Sequence, residues 1–236
     1  MKKYFLLMTL IVFVQFTQAQ NNILNQVVNS VTGSGGLSND QIIKGLKEAL
    51  NVGTNNSTAS ASKLDGFYKN PKIKIPFPPQ AKNMEKQLRG IGMGKEVDKF
   101  TKTLNRAAED AAKKAAPIFV DAITKMTIND GLQILNGGND AATNYLKGAS
   151  GAALKAAFLP VVKASLEKVQ ITKYWTPLTK TYNKLPLSNK VNTDLNDYVT
   201  QRATEGLFKL IAQEELKIRT DPQARINDIL KQVFGR

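Results

Sequence analysis

The sequence predicts an all-α protein, a compact multi-helix bundle of about eight helices with one short extended, Pro-rich segment. Three observations carry that expectation. Apolar residues recur every three or four positions over most of the chain, the spacing that lines one face of an α-helix. Ser, Thr or Asp stands before several of these runs, with Gln or Asp three residues on or Pro immediately after, which are helix-start signals. Only Lys72-Ile73-Lys74-Ile75 alternates charged and apolar side chains, and the prolines at 76, 78 and 79 forbid helix just beyond it.

The N-terminus reads as an export signal. Met1-Lys2-Lys3 is a positive leader, Phe5 to Phe16 is an apolar run interrupted only by Thr9 and Gln15, and Thr17-Gln18-Ala19 places small residues where a signal peptidase reads. The run is too short for a membrane span of about 20 residues and gives way at once to Gln20-Asn21-Asn22. Residues 1–19 are therefore expected to be removed after Ala19, leaving no transmembrane span, and no Cys follows to carry a lipoprotein anchor. Residues 20–37 join a short apolar pattern to Gly33-Ser34-Gly35-Gly36 and read as an N-terminal helix and linker. Residues 38–236 read as a single helical domain without internal repeats.

Within that domain Ser38 and Gln41 form a capping box, Ile42, Ile43, Leu46, Ala49 and Leu50 follow at helical spacing, and Gly53 is the expected stop. Val97, Phe100, Leu104, Ala107, Ala108, Ala111 and Ala115 make an Ala-rich seam. Pro117 is placed at the first position of the next helix, and Thr127 with Asp130 caps another that ends at Gly137-Gly138. A helical hairpin is expected from about Asp140 to Val169, broken at Gly148-Ala149-Ser150-Gly151 and weakened at Pro160. Tyr174 to Leu185 forms a short helix, Asp194 caps a long one reaching about Arg219, and Asp221-Pro222 opens a last one with Ile226, Ile229, Leu230, Val233 and Phe234 as its apolar stripe.

Several landmarks fall in a recognisable order: Leu37-Ser38-Asn39-Asp40 through Gly45-Leu46-Lys47-Glu48-Ala49-Leu50, Asp65-Gly66-Phe67-Tyr68, Ile73-Lys74-Ile75-Pro76, Asn105-Arg106-Ala107-Ala108-Glu109, Pro117 to Ile123, Lys173-Tyr174-Trp175 and Asp197-Tyr198-Val199-Thr200. From about Leu37 to the C-terminus the chain resembles domain-of-unknown-function family 4197. The resemblance implies an exported bacterial helical protein. It brings no assigned reaction, ligand or catalytic residue.

Composition narrows the chemistry. Among 236 residues there is no Cys and no His, which removes Cys/His and Ser-His-Asp catalytic systems, His- or Cys-ligated metal sites and disulfides. No catalytic residue, metal ligand or cofactor is assigned. Lys and Arg number 33 against 19 Asp and Glu, a formal charge of +14. Outside the cytoplasm such a charge points to anionic lipid, lipopolysaccharide or acidic glycan and argues against nucleic acid. Gly90, Gly92 and Gly94 read as a flexible helix break, because neither a preceding strand nor a P-loop Lys-Ser/Thr accompanies them.

Two constellations stand out. Asn105, Arg106 and Glu109 share one helix face by their spacing, as a polar network holding helices in register or as a ligand contact. Lys168 to Thr193 carries five lysines and no acid, and Lys173, Tyr174, Trp175, Lys180, Tyr182 and Lys184 are its candidate ligand-binding residues. A similar stretch surrounds Phe67, Tyr68 and Phe77 with Lys69, Lys72, Lys74 and Lys82. Rings packed in the core under solvated lysines are the competing reading of both.

Three functions follow: a non-enzymatic exported protein binding an anionic amphiphile or envelope component, a structural or adaptor module for another envelope protein, and a carboxylate-dependent glycan hydrolase or lyase. The last would draw on Glu109 with Asp110, Asp121, Asp194 with Asp197, or Glu214 with Glu215. Periplasmic or secreted protein isolated from its source cell is expected to begin at Gln20. An intact mass that retains residues 1–19 overturns the cleavage expectation.

Overall fold

The computed structural model describes residues 38–168, 170–185, 194–225 and residue 231. Its chain divides into two units, Met1–Ile42 and Ile43–Arg236. In the first, the described residues hold the expected capping box: the Ser38 amide donates to Gln41 Oε1 at 2.8 Å, and the Gln41 amide to Ser38 Oγ at 3.3 Å. The expected signal segment and linker, Lys190, and the apolar stripe at 226, 229, 230, 233 and 234 lie outside the described residues.

Among the described residues eight α-helices follow in order: α1 Asn39–Ser62, α2 Lys82–Gly90, α3 Gly94–Ala112, α4 Ala115–Thr124, α5 Ile128–Asn136, α6 Ala141–Lys168, α7 Thr172–Tyr182 and α8 Leu195–Thr220. Short 3₁₀ turns stand at Pro79–Ala81 and Pro222–Ala224, and the described residues contain no strand. The all-α expectation holds. Thr127 and Asp130 form the expected reciprocal cap of α5, and Asp194 accepts the Asn196 and Asp197 amides at the start of α8.

Three helices organise the second unit. α6 packs against α3, α4, α5 and α8, and α3 packs also against α2, α7 and α8. α3 buries Val97, Phe100 and Leu104, and its Ala107, Ala108, Ala111 and Ala112 let neighbouring backbones approach closely. Along α6 the buried residues Ala142, Leu146, Ser150, Leu154, Phe158, Val162 and Leu166 are spaced by four. At 3.6 residues per turn such a row advances about 40° per step, so it winds around the axis and meets different partners along the helix.

Three local expectations are corrected. Gly53 does not stop α1, which runs to Ser62. The hydroxyls of Thr54 and Ser57 fold back onto the Leu50 and Gly53 carbonyls at 2.8 and 2.7 Å, so a polar run stays inside the helix. The hairpin expected over 140–169 is one helix: Ser150 bonds the Leu146 carbonyl at 2.5 Å, and Pro160 lies on an exposed face with Ala156, where water can reach the carbonyl it frees. Pro117 is the third residue of α4, still within the first turn, where no amide partner is lost. α2 had no sequence expectation at all. Its two buried anchors, Met84 and Leu88, give too short a row to stand out.

The end of α8 holds two other helices in place. Glu215, buried, accepts the Ala142 and Thr143 amides at 2.9 and 2.8 Å and the Thr143 hydroxyl at 2.7 Å. It thus supplies the negative charge that the free amides and dipole of the α6 N-terminus favour. Arg219, one turn on, donates to Glu215 at 3.0 Å and to the Ile134 carbonyl, in the last turn of α5, at 2.8 Å. Replacing Glu215 by Ala leaves two buried amides poorly satisfied and takes the carboxylate from half-buried Arg219, and is expected to cost about 3 kcal/mol. Glu214→Ala, which removes only a pair with the exposed Lys217, is expected to cost under about 1 kcal/mol. Urea unfolding of the two variants reads the difference, and equal costs would overturn the role of Glu215.

Candidate functional site

The segment between α1 and α2 builds one wall of the site. Ile73, Ile75 and Phe77 are buried and alternate with exposed Lys72, Lys74 and Pro76, the side-chain period of a strand. With no neighbouring strand, its backbone is satisfied by α3. Asn105, fully buried, accepts the Ile75 amide through Oδ1 at 2.8 Å and donates through Nδ2 to the Ile75 carbonyl at 2.8 Å and the Thr101 carbonyl at 2.8 Å. One turn further, Glu109 Oε1 accepts the Phe67 and Tyr68 amides at 3.1 and 3.2 Å, and Arg106 joins Glu109 to Asp65. Hydrogen bonds from Lys69 and then Arg106 hold the Asp65 carboxyl below its ordinary pKa. The structure thus brings Asn105, Arg106 and Glu109 together, and each bonds this segment.

The opposite side of the segment rests on α8. A methyl group at Gly206 would lie 2.7 Å from Phe67 Cε1 and 3.3 Å from Ile73 Cβ, so the bare glycine is what allows the approach. Lys72 and Lys74 are consequently held at the edge of α8, with Lys74 Nζ 4.6 Å from the centre of the Tyr68 ring.

The basic and aromatic stretch on α7 divides by side. Tyr182 is buried, and Trp175 stacks on Phe100 at 4.9 Å between centroids and lies 5.9 Å from Phe77. Tyr174 is half-buried, while Lys173, Lys180 and Lys184 are exposed. The rings mostly belong to the core and the lysines to the surface, so the expected interleaved face does not form here. Phe67 and Phe77 likewise point inward, leaving Tyr68 half-buried beside Lys74.

The acids have structural partners. Glu109 and Glu215 hold backbone amides, Asp194 caps α8, Asp110 bonds Lys113 and Ser165, Asp121 pairs with Lys125, Asp197 with Lys155, and Glu214 with Lys217. Burial raises the Asp110 pKa, but the bonds from Lys113 and Ser165 outweigh it and the net shift is downward. The Thr127 hydroxyl and amide lower Asp130. A general acid at neutral pH needs the opposite shift. Gly90, Gly92 and Gly94 make the turn from α2 to α3, with Gly92 at φ +86°, a left-handed conformation natural to glycine.

Sequence reasoning missed an opening on α6. Between α6 and α8 lies an open groove of about 510 Å³, floored by Phe208, Gly151 and Ala152 and rimmed by Lys147, Lys155 and Lys209. Its volume falls within the range of about 300–1,000 Å³ usual for small-ligand sites. Beside it is a smaller opening of about 210 Å³ lined by Lys72, Lys74, Arg202, Gly206 and the two residues it shares with the groove, Glu205 and Lys209. The signal for the groove was present in α6, where glycines sit inside a helix: a methyl group on Gly151 meets nothing within 4 Å.

A family model described as protein of unknown function (DUF4197) matches residues 36–235. No curated protein and no solved structure matches the chain. For the clasp, Asn105→Ala is expected to lower stability by about 3 kcal/mol, since it strands the buried amide and carbonyl of Ile75. Thermal or urea unfolding measures it, and a cost below about 1 kcal/mol would show that the segment finds other partners.

Proposed function

The chain belongs to the DUF4197 family, and within that family of unknown function we propose that it is a non-enzymatic exported protein that binds a single-chain anionic amphiphile in the α6–α8 groove. The observation that carries the reading is Gly151. A glycine inside a helix costs about 0.8 kcal/mol relative to alanine or leucine, and no neighbour crowds the space where its side chain would be. What its absence of side chain provides is room in the groove.

The chemistry of the lining supports an acyl chain with a charged end. Phe208, Gly151 and Ala152 give an apolar floor between α6 and α8. Lys147 and Lys209 supply cations at the rim, where Lys155 is already paired with Asp197. Such a floor favours an acyl chain over a glycan, which would need planar stacking rings where the lining offers one, that of Phe208. A groove of this volume also favours an amphiphile over a docked envelope protein. Export with cleavage after Ala19 belongs to the same proposal, because it brings the basic face to the lipids of the envelope.

Gly151→Leu puts a side chain into the groove from a position where the added Cβ meets nothing within 4 Å. It is expected to raise stability by about 0.8 kcal/mol and to weaken binding of oleate, presented below its micellar concentration, by about tenfold or more. Calorimetric titration of both proteins measures it. Equal binding by the two, or none by the wild type, removes the groove as the site.

A further inference from the structure

We infer that the smaller pocket beside the groove receives the head of the same ligand and selects a phosphate monoester. This rests on the groove reading and adds the chemical class of the head.

The charges that line the pocket are unequal. Arg202 Nη1 lies 2.9 Å from Glu205 Oε2, and Glu205 Oε1 accepts the Gln201 amide at 2.9 Å, so arginine and glutamate largely satisfy each other. Three ammonium groups then remain. Lys72 meets only the neutral Gln213 amide oxygen at 3.3 Å, Lys74 rests over the Tyr68 ring, and Lys209 has no carboxylate partner among the described residues. A carboxylate brings one negative charge to this setting. A phosphate monoester brings about 1.5–2 at neutral pH and three acceptor oxygens, one for each ammonium.

The pocket is held in shape before any ligand arrives. Ile73 and Ile75 are buried on one side of the segment, so alternation sends Lys72 and Lys74 to the other. Asn105 fixes the backbone of Ile75, and the bare Gly206 seats Phe67 and Ile73 on α8. Two lysines that would otherwise repel each other from flexible positions are thereby set beside Lys209. Lys209 also rims the groove, so a head bound in the pocket leaves its chain at the apolar floor.

Calorimetry on the whole protein tests this with three probes: oleoyl lysophosphatidic acid and oleate, both below their micellar concentrations, and inorganic phosphate. The wild type is expected to bind the lysophosphatidic acid about tenfold more tightly than oleate. The double variant Lys72→Gln/Lys74→Gln is expected to bind the two within about twofold of each other, losing more affinity for the lysophosphatidic acid than for oleate, with melting temperature unchanged. Absence of the preference in the wild type, or its survival in the double variant, overturns the head-group assignment and leaves the groove standing. Failure of the groove looks different: neither lipid binds, or Gly151→Leu binds both as the wild type does. Inorganic phosphate then decides the pocket alone. Binding to the wild type and Gly151→Leu but not to the lysine variant supports a site for free phosphate, and no binding to the wild type overturns it.

Discussion

The extended backbone from Ile73 to Phe77 meets no strand among the described residues, and its amides and carbonyls must still be satisfied once buried. Asn105 resolves this for Ile75 by offering an acceptor and a donor from one planar amide, the same pair of groups that a neighbouring strand would present. Much else depends on that substitution of side chain for strand. It sets Phe77 against Phe100 at 5.0 Å and so completes the aromatic cluster with Trp175. It also lays Ile73 on α8 and points the lysines of the segment outward. Removing it would dismantle a wall shared by the core and the basic surface, because both are built on one stretch of backbone.

The second buried anchor works through charge rather than shape. Glu215 and Arg219 are an i, i+4 pair, a spacing that on an exposed helix adds only tenths of a kcal/mol. Here the acid faces the start of α6 and the base faces the end of α5, so each charge meets the helix terminus of opposite polarity. The loop between these helices, with Gly137 and Gly138, needs no capping side chain of its own. Together with Glu109, this commits the two most buried carboxylates of the described chain to holding backbone. That commitment weighs against a carboxylate-based hydrolase more directly than the absence of histidine does.

Where the sequence was readable, the information was local. Ser38 with Gln41, Thr127 with Asp130, and Asp194 act on amides within three residues, so their spacing alone identifies them. The polar cluster of Asn105, Arg106 and Glu109 was visible for a similar reason, since three polar residues interrupt an alanine seam. Its partners were not visible: Ile75 and Phe67 lie 30 and 42 residues away. Gly53, Gly148 and Gly151 carry the same letter as the glycine that ends α5, and only tertiary packing decides whether such a residue stops a helix or opens a groove. The rings of α7 were ambiguous because the direction of a helix face depends on the neighbour it meets. The groove itself joins residues of α6 and α8 some fifty positions apart, a juxtaposition that no periodicity encodes.

The reach of the Glu215 contact bears on the order in which the chain acquires structure. Its partners Ala142 and Thr143 are 73 and 72 residues earlier. A polypeptide that emerges from its N-terminus presents α6 long before the carboxylate that neutralises the amides at its start. Local helices form within microseconds, whereas contacts of such separation require closure of a long loop. The junction of α5 and α6 therefore gains its anchor only when nearly the whole of α8 has followed.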